Sequence, residues 1–116
     1  MRISEIARLL EEAYQTVVVL SKNGTKATKL IREIDAEIRT TKCFDAATRR
    51  RRYNNGSVLY AGTPGTDFRG IDIQLILVLD DVSKSDIEKL KFSFAPILDK
   101  MIVESEEMPF LPFFEL

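Results

Sequence analysis

The stretch Gly70 to Asp81, GIDIQLILVLDD, constrains the fold more than any other part of the chain. Ile71, Ile73, Leu75, Leu77 and Leu79 fall on one parity; Asp72, Gln74, Ile76, Val78 and Asp80 fall on the other. Side chains alternate across a strand, so the first parity makes one apolar face. The second face is polar at its start, apolar in the middle and acidic at its end. The pattern predicts a strand central in a sheet, covered on one side and partly covered on the other. Gly70 opens it and Asp80-Asp81 close it. Gly70 and the alternation at Asp72 and Gln74 argue against a buried helix.

The chain has 116 residues, which predicts one domain over 1–116 with a buried core of its own. No run of about 18 apolar residues exists, so no membrane span is expected. Glu5, Glu11 and Glu12 in the opening segment argue against a secretory signal. Cys43 stands alone, which excludes an internal disulfide and predicts a reducing, cytoplasmic setting. Histidine is absent, which removes the commonest general base and the commonest metal ligand. No metal site and no cofactor are expected.

The net charge of −1 is unevenly spread. Residues 1–56 hold 12 basic and 7 acidic side chains, whereas residues 57–116 hold 5 and 11. Such asymmetry suggests a basic surface with an anionic partner. It equally allows head-to-tail self-association, basic end to acidic end.

From the N-terminus, Ser4 reads as a helix N-cap with Glu5 in the first turn. Ile6, Leu10, Ala13, Val17 and Leu20 recur at spacings of three and four, an amphipathic pattern that Val17-Val18-Val19 weakens. Asn23-Gly24 reads as a helix stop. A second helix is expected from about Thr25 to Lys42, with Ala27, Ile31, Ile34, Ile38 and Thr41 on its apolar face. The two helices would form an antiparallel hairpin.

The segments SEIARLL at 4–10, YQTVVVL at 14–20 and NG at 23–24 resemble a helix-turn-helix DNA-binding unit. The resemblance implies that Ala7 is the small residue where the helices cross, and that Val17 and Leu20 lie in the core of a recognition helix. It also implies that Tyr14, Gln15 and Thr16 sit near that helix's N-terminus, where base contacts are made. Glu11 and Glu12 stand where the family favours Gly and then an apolar residue. The alternative is one continuous helix.

Cys43 to Thr48 reads as a connector. Arg49-Arg50-Arg51-Arg52-Tyr53, then Asn54-Asn55-Gly56, then Ser57 to Ala61 predict a β-hairpin whose first strand is the arginine run. Arg49 and Arg51 would share one face, Arg50 and Arg52 the other. Arginines beside Tyr53 and Tyr60 suit phosphate and base contacts. A charge-protected edge strand or an exposed loop explains the same run. Thr63-Pro64-Gly65-Thr66 reads as a turn into the 70–81 strand. Three consecutive strands would make an antiparallel meander.

Ser85-Asp86-Ile87-Glu88 reads as a capping box that starts a C-terminal helix, which Pro96 ends or kinks. The tail carries Phe110, Phe113 and Phe114, expected to pack back on the sheet or to dock on a partner.

Asp80 and Asp81, with Asp67 and Asp72 near in sequence, could bind Mg²⁺; they equally could lead the chain into a helix. Gly62 to Leu75 resembles the Gly-rich turn and Asp-x-Asp strand of nucleotidyltransferases, but Gln74 stands where the second carboxylate would be. No P-loop signature, dinucleotide fingerprint or nucleophile–base pair is present, so no enzyme is expected.

The reading is therefore an α+β fold: an N-terminal helical hairpin, a three-stranded antiparallel β-meander and a C-terminal helix, with the helices on one face. The expected function is non-enzymatic binding of DNA or RNA through Arg49, Arg50, Arg51, Arg52, Lys26, Lys29 and Arg32, with Gln15 and Thr16. The alternative is a protein assembly or adaptor module that self-associates or uses Phe110, Phe113 and Phe114 on a protein partner.

Overall fold

A computed structural model of the chain describes residues 2–66, 71–93, 101–103 and 111–112. The elements run α1 (Ile3–Glu11), β1 (Thr16–Leu20), α2 (Thr25–Glu37), β2 (Cys43–Ala47), β3 (Arg50–Tyr53), β4 (Val58–Gly62), β5 (Leu75–Val78), α3 (Lys84–Ser93), β6 (Met101–Val103) and β7 (Leu111–Pro112). The strands form one mixed sheet in the order β2-β3-β4-β1-β5-β6-β7. β1 runs parallel to both neighbours: Val18 lies opposite Tyr60 on one side and Ile76 on the other. β5 is also parallel to β6, while β2-β3, β3-β4 and β6-β7 are antiparallel.

The α+β class stands, but its expected layout is corrected. Residues 16–20 are a strand, so there is no N-terminal helical hairpin and no recognition helix carrying Val17 and Leu20. The reason lies in Val17-Val18-Val19. Three β-branched residues in sequence favour an extended chain, and every residue from Val17 to Leu20 is fully buried. A strand covered on both faces shows no alternation, and the helical spacing from Ile6 to Leu20 was coincidental. Ala13, which completed that spacing, is exposed.

The expected meander is corrected as well. The hairpin at Asn54-Asn55-Gly56 forms, with Gly56 at φ +90°. The 70–81 stretch, however, does not pair with β4, because β1 lies between them. The antiparallel set is instead β2-β3-β4, and Cys43–Ala47 is a strand rather than a connector. α2 accordingly ends at Glu37. α3 starts at Lys84, and the Ser83 hydroxyl, not Ser85, accepts from the Asp86 amide at 3.2 Å. α1 begins at Ile3 ahead of Ser4, and Glu5 Oε1 accepts from the Arg2 amide at 3.3 Å.

The central strand forms within shorter bounds, and its expected start is corrected: Ile71 is exposed and Ile73 packs on the face opposite Leu75. β5 is buried throughout and lies inside the sheet. Leu75, Leu77 and Leu79 join Val17, Val19, Leu59 and Ala61 on the face covered by α1 and α2. Ile76 and Val78 join Val18, Leu20, Ile73 and Val82 on the other face, with Ile87 of α3 packed against them. Helices thus cover both faces, which corrects the expectation of one. Phe110, Phe113 and Phe114, and the segment around Pro96, lie outside the described residues.

Polar contacts tie α1 to the sheet. Asn55 Nδ2 donates to Leu10 O at 2.9 Å, and Ser57 Oγ donates to Glu12 O at 2.7 Å, so the hairpin turn satisfies carbonyls at the end of α1. Arg8 Nη2 likewise donates to Glu37 O at 2.6 Å at the end of α2. Tyr53 is almost fully buried and donates to Asp35 Oδ1 at 2.7 Å. Burial first, and then the bond to the Asp35 carboxylate, hold its phenol far above the ordinary value. A raised folded pKa gives stability that is present below the unfolded value of about 10 and is lost as pH rises beyond it. Tyr53→Phe is expected to cost about 1 kcal/mol at neutral pH, by urea unfolding. It should also flatten the loss of stability between about pH 9 and 11 relative to wild type.

Candidate functional site

The parallel set β4, β1 and β5 directs three carboxyl ends to one rim. Leu79 N donates to Leu20 O at 2.9 Å and Ser21 N donates to Gly62 O at 3.0 Å, which aligns those ends. The chain leaves β1 through α2 toward β2-β3-β4, then returns across β1 to form β5. The connections therefore diverge on either side of the β1–β5 boundary. In open α/β sheets, ligands bind at the carboxyl ends where strand order reverses in this way.

Residues of opposite charge converge on that boundary. A short loop, Ser21 to Gly24, joins β1 to α2, with Gly24 at φ +84° as the helix N-cap. Lys26, in the first turn of α2, forms an ion pair with Asp80 just beyond β5. Asp81 follows, and its Oδ1 is buried with no hydrogen-bond partner among the described residues. A buried carboxylate oxygen without a donor is costly, and a cation or a bound water at that position is the usual resolution.

Arg49 completes the rim. The β2-β3 turn lies beside the end of β4, since Arg49 O accepts from Ala61 N at 2.9 Å. From there the guanidinium reaches Gly24: a Cβ at that glycine would stand 2.8 Å from Arg49 Nη2. Gly24 is thus required both by its left-handed backbone and by the arginine against it. Polar side chains of the loop hold the start of α2. Asn23 Oδ1 accepts from Thr25 N at 3.1 Å and Ser21 Oγ accepts from Ala27 N at 3.1 Å. The positive end of the helix dipole, Lys26 and Arg49 all favour an anion at this point.

The structure divides the residues expected to contact nucleic acid. Lys26 and Arg49 come together at the N-terminus of α2. Lys29 and Arg32 are exposed farther along that helix. Arg50 pairs with Asp45 at 3.0 Å and Arg51 lies 3.9 Å from Asp35, its side chain only 13% exposed. The middle of the arginine run is thus largely neutralised within the fold. Arg52 extends to the opposite rim, 3.9 Å from Asp45. Thr16 N donates to Gln74 Oε1 at 2.6 Å and Gln15 N to Ser57 Oγ at 3.2 Å; Thr16 opens an interior strand and Gln15 lies just ahead of it, so neither belongs to a recognition helix.

Among the described residues, no group of three or more His, Cys, Asp or Glu forms a metal cage. Asp80 and Asp81 are a pair, which suits an ion that arrives with its own phosphate ligands. Asp72 is exposed and Asp67 lies outside the described residues. Among the described residues, no helix is long and apolar enough to cross a membrane. Comparison with known protein families and with curated proteins finds no match to this chain.

Sequence reasoning missed this rim because its parts lie in three separate segments, Ser21 to Lys26, Arg49 and Asp80-Asp81. The signal that was present is the order of events: an apolar strand, a short Gly-containing loop, a helix with Lys in its first turn, and later a buried strand ending in Asp-Asp. The phosphate-loop signature requires a first Gly, four intervening residues and then Gly-Lys-Ser/Thr, whereas this chain has Ser21-Lys22-Asn23-Gly24-Thr25-Lys26. The lysine and the hydroxyl residue are exchanged, and the loop is shorter.

Proposed function

We propose that the protein binds the magnesium complex of a nucleoside triphosphate at the carboxyl rim of β1 and β5 and hydrolyses its terminal phosphate. The observation that carries this reading is the convergence of Lys26, Arg49 and Asp80-Asp81 on the N-terminus of α2. Two cations and a helix dipole suit a polyphosphate, and two adjacent carboxylates suit the divalent ion that accompanies it. This revises the expectation of a non-enzymatic protein.

Each residue has a task. The Lys26 ammonium would leave Asp80 and contact the β- and γ-phosphates, with the positive end of the α2 dipole behind it. The Arg49 guanidinium would lie along the phosphate chain as charge builds on it. Asp80 and Asp81 would hold the ion, which supplies charge neutralisation at the phosphate oxygens. The Asp81 carboxylate would accept a hydrogen bond from the attacking water. The water oxygen would bond to the γ-phosphorus as the bond from that phosphorus to the β,γ-bridging oxygen breaks, one water proton would pass through the Asp81 carboxylate to solvent, and the products would be a nucleoside diphosphate and inorganic phosphate.

The test is phosphate release from ATP and GTP in Mg²⁺ and in excess chelator. The expected result is turnover that requires Mg²⁺ and falls at least about a hundredfold in Asp81→Asn. Wild type without turnover and without nucleotide binding would overturn the reading. The assembly alternative is not carried forward, because the Lys26–Asp80 pair meets part of the charge asymmetry within the chain.

A further inference from the structure

At the opposite rim, the amino ends of β1 and β4 border an open hollow of about 510 Å³ lined by Tyr14, Phe44, Arg52, Asn54 and Gly56 among others. Tyr14 and Phe44 are 78% and 63% exposed, far above the other large apolar side chains of the described core region. Each is aimed there by a local irregularity. Tyr14 is a non-glycine residue at φ +63°, a conformation that bulky residues rarely adopt. Its amide donates to Asn55 O at 3.3 Å, and its ring lies against Gly56, where a Cβ would stand 2.7 Å from Cδ1. Phe44 sits where the β2-β3 register shifts between Cys43 and Asp45. Bulges of this kind re-aim side chains beside functional sites, and a strained backbone held by its surroundings has the same association. Two independent distortions direct two aromatic rings at one hollow, where burying them would have been simpler.

Cationic and amide groups stand beside the rings. The Arg52 side chain is 45% exposed and only loosely paired with Asp45, which Arg50 holds more closely. Lys42 is exposed at the same rim, and its carbonyl accepts from Asn54 N. Aromatic faces flanked by cations are the chemistry of base stacking with phosphate contact. A purely apolar peptide would leave Arg52 and Asn54 without a role. A duplex buries the faces of its bases in its own stack, so the occupant must be unpaired.

We propose that this hollow binds an unpaired base of a single-stranded nucleic acid, stacked on Tyr14 and Phe44, with Arg52 on the adjoining phosphate. The proposal is independent of the carboxyl-rim site and uses other residues.

The test is fluorescence anisotropy with labelled oligo(dT), an abasic oligonucleotide of equal length and a duplex of equal length. The proteins are wild type, Tyr14→Phe, Tyr14→Ala, Phe44→Ala and Arg52→Ala, each checked by circular dichroism. Expected are binding of oligo(dT) that weakens about tenfold in Tyr14→Ala and in Phe44→Ala, and survives in Tyr14→Phe. The abasic strand should bind about as weakly as the aromatic variants do, and Arg52→Ala should reduce the salt slope by roughly one unit. Phe44→Ala changes an exposed side chain, so it reports even if Tyr14→Ala is unfolded. No oligo(dT) binding by wild type at low salt would overturn the proposal. So would equal affinity in Phe44→Ala, or a duplex or abasic strand bound as tightly as oligo(dT).

Discussion

Lys26→Ala is expected to weaken binding of Mg·ATP by about tenfold to a hundredfold while leaving the fold intact. A charge-assisted contact to phosphate is worth about 1.5–3 kcal/mol, and each 1.4 kcal/mol is tenfold in affinity. The same substitution also removes the Lys26–Asp80 pair, but that pair lies at the surface, with the lysine side chain 52% exposed. Such pairs contribute about 1 kcal/mol or less to stability. The two effects therefore separate: nucleotide affinity by calorimetry should fall steeply, and the urea midpoint should hardly move. Asp80→Asn complements it. That variant should lose the part of the affinity that depends on Mg²⁺ and keep the part that does not. Equal affinity in Lys26→Ala and wild type would remove Lys26 from the site.

The second large effect is on stability. Leu77→Ala should destabilise the protein by about 3 kcal/mol in urea unfolding. Leu77 is fully buried in β5, on the face that α1 and α2 cover. β5 is hydrogen-bonded between β1 and β6, so the surrounding strands cannot close on the vacated volume. Phe44→Ala, at a ring 63% exposed, should change stability by less than about 0.5 kcal/mol. A loss below 1 kcal/mol at Leu77 would contradict the position of β5 inside the sheet.

What the sequence disclosed follows from how local each signal is. The run from Leu75 to Leu79 marked a buried strand because it is apolar on both parities, bounded by Asp72 and Gln74 before it and Asp80-Asp81 after it. Asn54-Asn55-Gly56 marked its hairpin because the turn needs Gly56 at positive φ. β1 was misread because Val17 and Leu20 continued the spacing of Ile6 and Leu10, and a strand buried on both faces carries no period of its own. The parallel pairing of β1 with β4 and β5 joins residues about 40 to 60 positions apart, and no single stretch records it. The partners of the arginine run were hidden for the same reason. Asp45 reaches Arg52 through the β2-β3 register, and Asp35 reaches Arg51 from α2. A charge run that read as a nucleic-acid surface is thereby split. Arg49 goes to one rim and Arg52 to the other, while Arg50 and Arg51 are held by carboxylates between them.

The candidate site was legible only in pieces. Asp80-Asp81 was visible as a possible magnesium pair, and Lys26 as a cation early in a helix. Their meeting depends on the crossover from β1 through α2 and on the return to β5. Tyr14 and Phe44 gave no signal as a pair, since their shared hollow depends on a left-handed residue and a bulge that no motif describes.

The central claim is that the carboxyl rim of β1 and β5 is the nucleotide site. Titration of ¹⁵N-labelled protein with Mg·ATP, followed by two-dimensional NMR, tests it most directly. The predicted result is a saturable set of shifted amides at Ser21 to Lys26, Arg49 and Asp80-Asp81, with Tyr14, Phe44 and Arg52 unmoved. No saturable shifts, or shifts confined to the Tyr14–Phe44 rim, would contradict the claim.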